Sequence, residues 1–211
     1  MNPLDAIHAT GIVPVVALPD PGHAVPLAQA LVDGELPVAE VTFRTPAAAE
    51  GIGLMTRHFP DMLVGAGTVL TTDQVDAAVD AGAAFIVAPG FDPVVVDYCL
   101  ERSIPVMPGV ATASELTQAV LRELPAVKFF PAEAMGGLKT LKSLAAPFRP
   151  MRFMVTGGLS MDNMAPYLAW DRILAVGGSW MVTRRLVVDG HFARIRTLAA
   201  EAVQAVRKAR A

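Results

Sequence analysis

The residue with the strongest chemical signal is a lysine embedded in an apolar run. Lys128 stands between Val127 and Phe129 in AVKFF, residues 126–130, with Phe130 two positions on and so on the same strand face. Burial among such neighbours removes hydration and disfavours the ammonium form. A free amine at neutral pH can attack a ketone and form a Schiff base. The same lysine could instead complete a structural ion pair with Glu40 or Glu133, and both readings stay open on residues alone. A second group lies in PVAEVTF, residues 37–43, and just beyond it. Glu40, Thr42 and Arg44 are spaced by two, so all three start on one face of a strand while Val41 and Phe43 take the other. Glu40 could move protons as a general acid/base near a carbinolamine, or only partner Lys128; the two roles are compatible. Arg44 could grip the carboxylate of a small keto acid bidentately, which a lysine does less well. Alone it would read as a surface arginine after a strand, and its spacing from Glu40 and Thr42 favours the functional reading.

Two glycine pairs add a third feature. Gly157-Gly158 and Gly177-Gly178, the latter followed by Ser179, each close an apolar run. Glycine lets the backbone approach an anion, and N–H groups at a following helix start supply donors. Each pair could be only a turn. Their duplication, in the two loops where barrels often bind phosphate, favours an anion site. His8, His23, His58 and His191 are scattered without metal-ligand spacing, so no metal and no other cofactor is expected.

These residues need elements to hold them, and the chain supplies an alternation. Eight short apolar runs occur, at residues 12–18, 37–43, 63–67, 84–88, 104–108, 126–130, 152–156 and 173–176. Each is followed by a helical pattern, at residues 23–36, from about 46, then 71–81, 92–102, 112–124, 136–145, 160–169 and the terminal helices. Thr71 or Thr72 can cap one helix, Pro93 suits a first turn, and Thr112 with Glu115 has capping-box spacing. Strands alternating with helices imply parallel strands and right-handed crossovers. Eight units predict a closed (β/α)8 barrel, an α/β fold, over a single domain of residues 1–211, with residues 3–9 as a helix at the barrel bottom. A doubly wound open sheet would need fewer strands or a marked edge.

Composition agrees. The chain has 211 residues, 53% hydrophobic and 6% aromatic, which suits parallel strands covered on both faces. A net charge of −3 does not suggest nucleic-acid binding. Arg184, Arg185, Arg194, Arg196, Arg207 and Arg210 read as a solvated helix face. Cys99 reads as a small core residue. No run reaches membrane-spanning length and the first ten residues do not read as a signal peptide, so a cytoplasmic enzyme is expected.

The segments Val13-Pro14-Val15-Val16, Glu40-Val41-Thr42-Phe43-Arg44-Thr45, Val64-Gly65-Ala66-Gly67-Thr68-Val69-Leu70, Lys128-Phe129-Phe130-Pro131-Ala132-Glu133, Thr156-Gly157-Gly158 and Val176-Gly177-Gly178-Ser179-Trp180 resemble the KDPG/KHG aldolases. These cleave 2-keto-3-deoxy-6-phosphogluconate or 4-hydroxy-2-oxoglutarate. The similarity runs nearly from end to end. It implies Lys128 as the Schiff-base lysine and Glu40 as general acid/base. It implies Arg44 and Thr68 at the pyruvate carboxylate, Pro89 and Phe130 lining that pocket, and Gly157, Gly158 and Ser179 at the phosphate. It also implies a homotrimer. Phe43 stands where leucine is usual and Met135 where a polar residue is common. The expected reaction is reversible cleavage of 2-keto-3-deoxy-6-phosphogluconate to pyruvate and glyceraldehyde 3-phosphate. The alternatives are 4-hydroxy-2-oxoglutarate or the galactonate epimer as substrate, a phosphosugar isomerase, and a non-enzymatic sugar-acid-binding barrel.

Overall fold

A computed structural model describes residues 2–149 and 151–211. The strands are β1 (Ile12–Val16), β2 (Val38–Thr42), β3 (Leu63–Gly67), β4 (Ile86–Val87), β5 (Val106–Met107), β6 (Gly109–Val110), β7 (Ala126–Phe129), β8 (Arg152–Thr156) and β9 (Ile173–Gly178). The helices are α1 (Pro3–Thr10), α2 (Ala24–Asp33), α3 (Ala48–His58), α4 (Thr72–Asp80), α5 (Pro93–Glu101), α6 (Ala113–Leu121), α7 (Gly137–Ala145), α8 (Ala165–Leu168), α9 (Arg184–Val188) and α10 (Phe192–Arg210).

Every strand pairing is parallel, in the order β5-β4-β3-β2-β1-β9-β8-β7-β6. The two ends of that order are halves of one stave, separated by Pro108. Proline has no N–H to give to a ladder. β5 therefore pairs with β4 on one side and β6 with β7 on the other, and the Pro108 carbonyl accepts the Lys128 N–H at 2.8 Å. The fifth predicted run is thus longer than residues 104–108 and broken, and the sheet closes through it into an eight-staved barrel.

The predicted caps form. Thr71 caps α4, Asp92 caps α5 ahead of Pro93, and Thr112 with Glu115 makes a full capping box on α6. Gly11, in the left-handed region at φ 68°, ends α1 and turns the chain directly into β1, so α1 lies at the amino-terminal end of the barrel. Two expectations differ. The helix after β8 is only Ala165–Leu168, because Gly157 and Gly158 take φ of 102° and 80° and an Asn163 turn follows them. Arg210 is not on a solvated face. Its guanidinium is half-buried and donates to the carbonyls of His8, Ile173 and Leu174, tying α10 to the barrel's amino-terminal end. Cys99 is fully buried, and burial pushes its thiol up to about 11. No helix among the described residues is long and apolar enough to cross a membrane.

The core is almost wholly apolar. Among the described residues only Glu40, Thr42, Lys128 and Thr156 are buried polar or charged side chains. Polar groups are rarely buried without a partner or a task. Their concentration marks the place where the barrel departs from simple packing.

Candidate active site

Lys128 on β7 and Glu40 on β2 meet inside the barrel. Lys128 Nζ lies 3.2 Å from Glu40 Oε1, with side-chain exposures of 7% and 0%. Glu133, the other candidate partner, instead accepts from the Tyr167 hydroxyl. Glu40 fits because the neighbouring stave β3 is thin. Glu40 is in register with Gly65, and a Cβ on the neighbouring Gly67 would lie 2.2 Å from Glu40 Oε1. Any side chain at Gly67 would displace the carboxylate. The second oxygen, Oε2, is buried with no partner among the described residues. A buried unsatisfied acceptor is costly, and one facing a cavity has capacity left for a ligand's proton.

A cavity of about 300 Å³ opens above this pair. Its lining includes all nine residues to which the family resemblance gives a site role: Glu40, Arg44, Thr68, Pro89, Lys128, Phe130, Gly157, Gly158 and Ser179. All but Glu40 and Lys128 sit just past the carboxyl ends of their strands, where barrel enzymes build sites. Phe130 places its ring centroid 5.4 Å from Lys128 Nζ. Thr42 does not line the cavity; it serves as a strut. Its hydroxyl donates to the Val16 carbonyl at 2.8 Å and accepts from Arg44 Nε at 3.1 Å. That leaves the two terminal nitrogens of Arg44 without a partner among the described residues. Thr68 holds φ 55°, a left-handed conformation uncommon for a β-branched residue. Such strain persists only where the surroundings enforce it, and it clusters at ligand sites.

The glycine loops lie side by side at one end of the cavity. Thr156 on β8 pairs with Gly177 on β9, so the two chain segments leave the barrel together. After β9 comes only a short 3-10 turn, Trp180–Val182, and α8 begins well beyond Gly158. The donors here therefore belong to loops rather than to helix starts. Gly158 and Leu159 have backbone N–H groups with no hydrogen bond among the described residues.

Three further lining residues were given no site role from sequence. Val15, in register with Glu40, is one apolar residue in an apolar strand and carries no local signal. Leu159 is likewise anonymous. Thr156 was visible as the end of a run and in the resembling segment Thr156-Gly157-Gly158, without a role of its own; it is 4% exposed and its hydroxyl has no partner among the described residues. That free hydroxyl in the cavity is the signal that burial reveals and sequence does not. Chemically the arrangement joins an amine, a carboxylate at proton-transfer distance, an arginine and open backbone donors around one cavity. No group of three potential metal ligands occurs among the described residues.

The comparisons with known proteins agree with this geometry. A family model described as KDPG and KHG aldolase matches residues 5–198. A relative from Treponema pallidum, named 2-dehydro-3-deoxy-phosphogluconate aldolase, is 44% identical over 202 residues, covering 96% of each chain. A KDPG aldolase from Legionella pneumophila, solved with pyruvate captured as a covalent carbinolamine, superposes with a TM-score of 0.91 at 36% identity, covering 96% of this chain and 98% of that one. The 2-keto-3-deoxy-6-phosphogluconate aldolase of Zymomonas mobilis, solved with 3-phosphoglycerate, gives a TM-score of 0.88 at 40% identity, covering 95% and 94%. With its barrel closed and its lysine and glutamate paired inside it, the chain belongs to the KDPG and KHG aldolase family.

Proposed function

We propose that the whole chain is one class I aldolase unit that reversibly cleaves 2-keto-3-deoxy-6-phosphogluconate to pyruvate and glyceraldehyde 3-phosphate. The observation that carries this reading is the buried amine of Lys128, 3.2 Å from Glu40 and open to the cavity. That distance is within reach for direct proton transfer. Glu40 takes a proton from the lysine ammonium, and the free amine adds to the C2 ketone. Loss of water from the carbinolamine, with Glu40 returning the proton, gives an iminium. The C4 hydroxyl then gives its proton to Glu40, the C3–C4 bond breaks, and its electron pair moves into the iminium to leave an enamine. Glyceraldehyde 3-phosphate departs, Glu40 protonates C3, and water releases pyruvate and restores Lys128. The carbinolamine captured in the Legionella protein supports this sequence of steps.

Positioning follows the cavity's two ends. Arg44 and Thr68 hold the carboxylate, while Pro89 and Phe130 wall the three-carbon pyruvate unit. Gly157, Gly158 and Ser179 take the phosphate through loop donors, and a phosphorylated three-carbon acid is a ligand in the Zymomonas structure. The free Thr156 hydroxyl is available to a substrate oxygen between those ends. An isomerase or a binding barrel on this scaffold would need no nucleophilic amine. The exposed apolar side chains Leu70, Val94, Val120 and Leu121, between 47% and 70% exposed, fit burial between copies, and we take the assembly to be a homotrimer.

Three outcomes are expected. Coupled pyruvate assays should find the phosphorylated acid cleaved with much higher kcat/KM than the unphosphorylated one. Ser179→Ala should lower the former by about tenfold, the loss of one hydrogen bond to a charged group, and barely change the latter. Equal losses for both acids would move the phosphate elsewhere. Glu40→Gln keeps the shape of the side chain and removes its base, so turnover should fall by roughly 10²–10⁴-fold. NMR should show slowed exchange of pyruvate methyl protons in the same variant, and unchanged exchange would leave Glu40 only a structural partner. Sedimentation should give three times the chain mass, and Leu121→Asp should reduce it; a monomeric parent protein would contradict the trimer.

A further inference from the structure

Tyr167 on α8 and Glu133, four residues past β7, are not part of the cavity lining, yet they are joined directly behind the glycine loop. Tyr167 is 3% exposed and its hydroxyl donates to Glu133 Oε1. The backbone N–H of Glu133 donates to the Gly157 carbonyl at 3.0 Å. Its aliphatic stem lies against Gly158: a Cβ there would be 2.7 Å from Glu133 Cβ and 2.9 Å from Cγ. Gly158, at φ 80°, is thus required both by conformation and by this contact. On the other side, Asn163 Nδ2 donates to the Gly158 carbonyl at 2.9 Å while its Oδ1 accepts from Ser160 N–H at 2.8 Å. Both glycine carbonyls are tied back, and the N–H groups of Gly158 and Leu159 remain open.

We propose that Tyr167 and Glu133 are positioning residues for the substrate phosphate: the tyrosine hydroxyl holds the glutamate carboxylate away from the loop donors at 157–159. The inference rests on the phosphate end argued above. A carboxylate is the wrong neighbour for an anion site. It repels a phosphate and is itself a good acceptor for free backbone N–H groups. Glu133 already has its stem on Gly158, so a released carboxylate can reach those donors and compete for them intramolecularly. Tyr167 prevents this by fixing the carboxylate toward α8. Burial, and then the bond to Glu133, hold the Tyr167 hydroxyl above its ordinary range, so it stays a donor at any working pH. Glu133 is an exposed residue whose stem keeps its contact with Gly158 while its charge is turned away.

The test compares KM and kcat for the phosphorylated and unphosphorylated acids. Tyr167→Phe should raise KM for the phosphorylated acid about tenfold, as expected when a hydrogen bond to a charged group is lost, with kcat changed by less than about twofold. The unphosphorylated acid should be cleaved as before, and borohydride trapping of pyruvate should be unimpaired, which also reports an intact fold. Adding Glu133→Gln should return KM to within about threefold of the parent, because the released group no longer carries charge. A Tyr167→Phe enzyme with unchanged KM, an equal loss on both acids, or a double variant worse than the single one would overturn the proposal. A parent enzyme that treats both acids alike would overturn the phosphate end itself, before any variant is compared.

Discussion

The structure turns on one buried ion pair. Lys128 and Glu40 come from strands on opposite parts of the barrel and meet in its interior, at the floor of the cavity. Burying two charges is expensive, and apolar residues of similar volume often serve stability as well or better. A pair in such a place is therefore better explained by use than by stability. The surrounding chain is arranged to accommodate it. Gly67 leaves the space that Glu40 fills, and the Pro108 carbonyl fixes the Lys128 backbone while breaking its own stave. One glutamate oxygen has no partner among the described residues. The pair has the distance of a proton relay and the address of a nucleophile.

The rest of the site is distributed along the line from that pair to solvent. Thr42 braces Arg44 by spending its hydroxyl on the Val16 carbonyl and on Nε, which leaves the arginine fork directed by a rigid strand. β8 and β9 leave the barrel side by side and deliver two glycine loops to one place. An arginine fork and a set of loop donors on one cavity suit the proposed substrate, which has different anions at its two termini.

Much of this was legible in the sequence because each feature broke a local rule. A lysine among phenylalanines, and a glutamate in a valine-rich run, violate the apolar pattern of a doubly covered strand. The alternation of Glu40, Thr42 and Arg44 was readable for the same reason, although it could not tell a cavity residue from a strut. Capping residues were legible because their hydrogen bonds are local, as Thr112 and Glu115 illustrate. What stayed hidden depends on partners distant in sequence. Whether Lys128 pairs with Glu40 or Glu133 is decided by which staves face each other and by Tyr167 on α8. Arg210 looked like one more surface arginine because its three carbonyl acceptors lie at the far ends of the chain and the barrel. Val15 and Leu159 join the cavity only through register and loop path. The short α8 follows from two left-handed glycines whose conformation residue type permits but does not require.

The central claim, that the buried amine is the nucleophile, is open to one direct measurement. Pyruvate and borohydride together should convert the enzyme to a stable secondary amine, with cleavage activity lost in step. Mass spectrometry of the digested protein should find the added mass on the peptide containing Lys128, and a Lys128→Arg protein should acquire none, since a guanidinium stays protonated. An adduct on Lys139, Lys142 or Lys208, or full cleavage activity in an enzyme that never forms an adduct, would contradict the account.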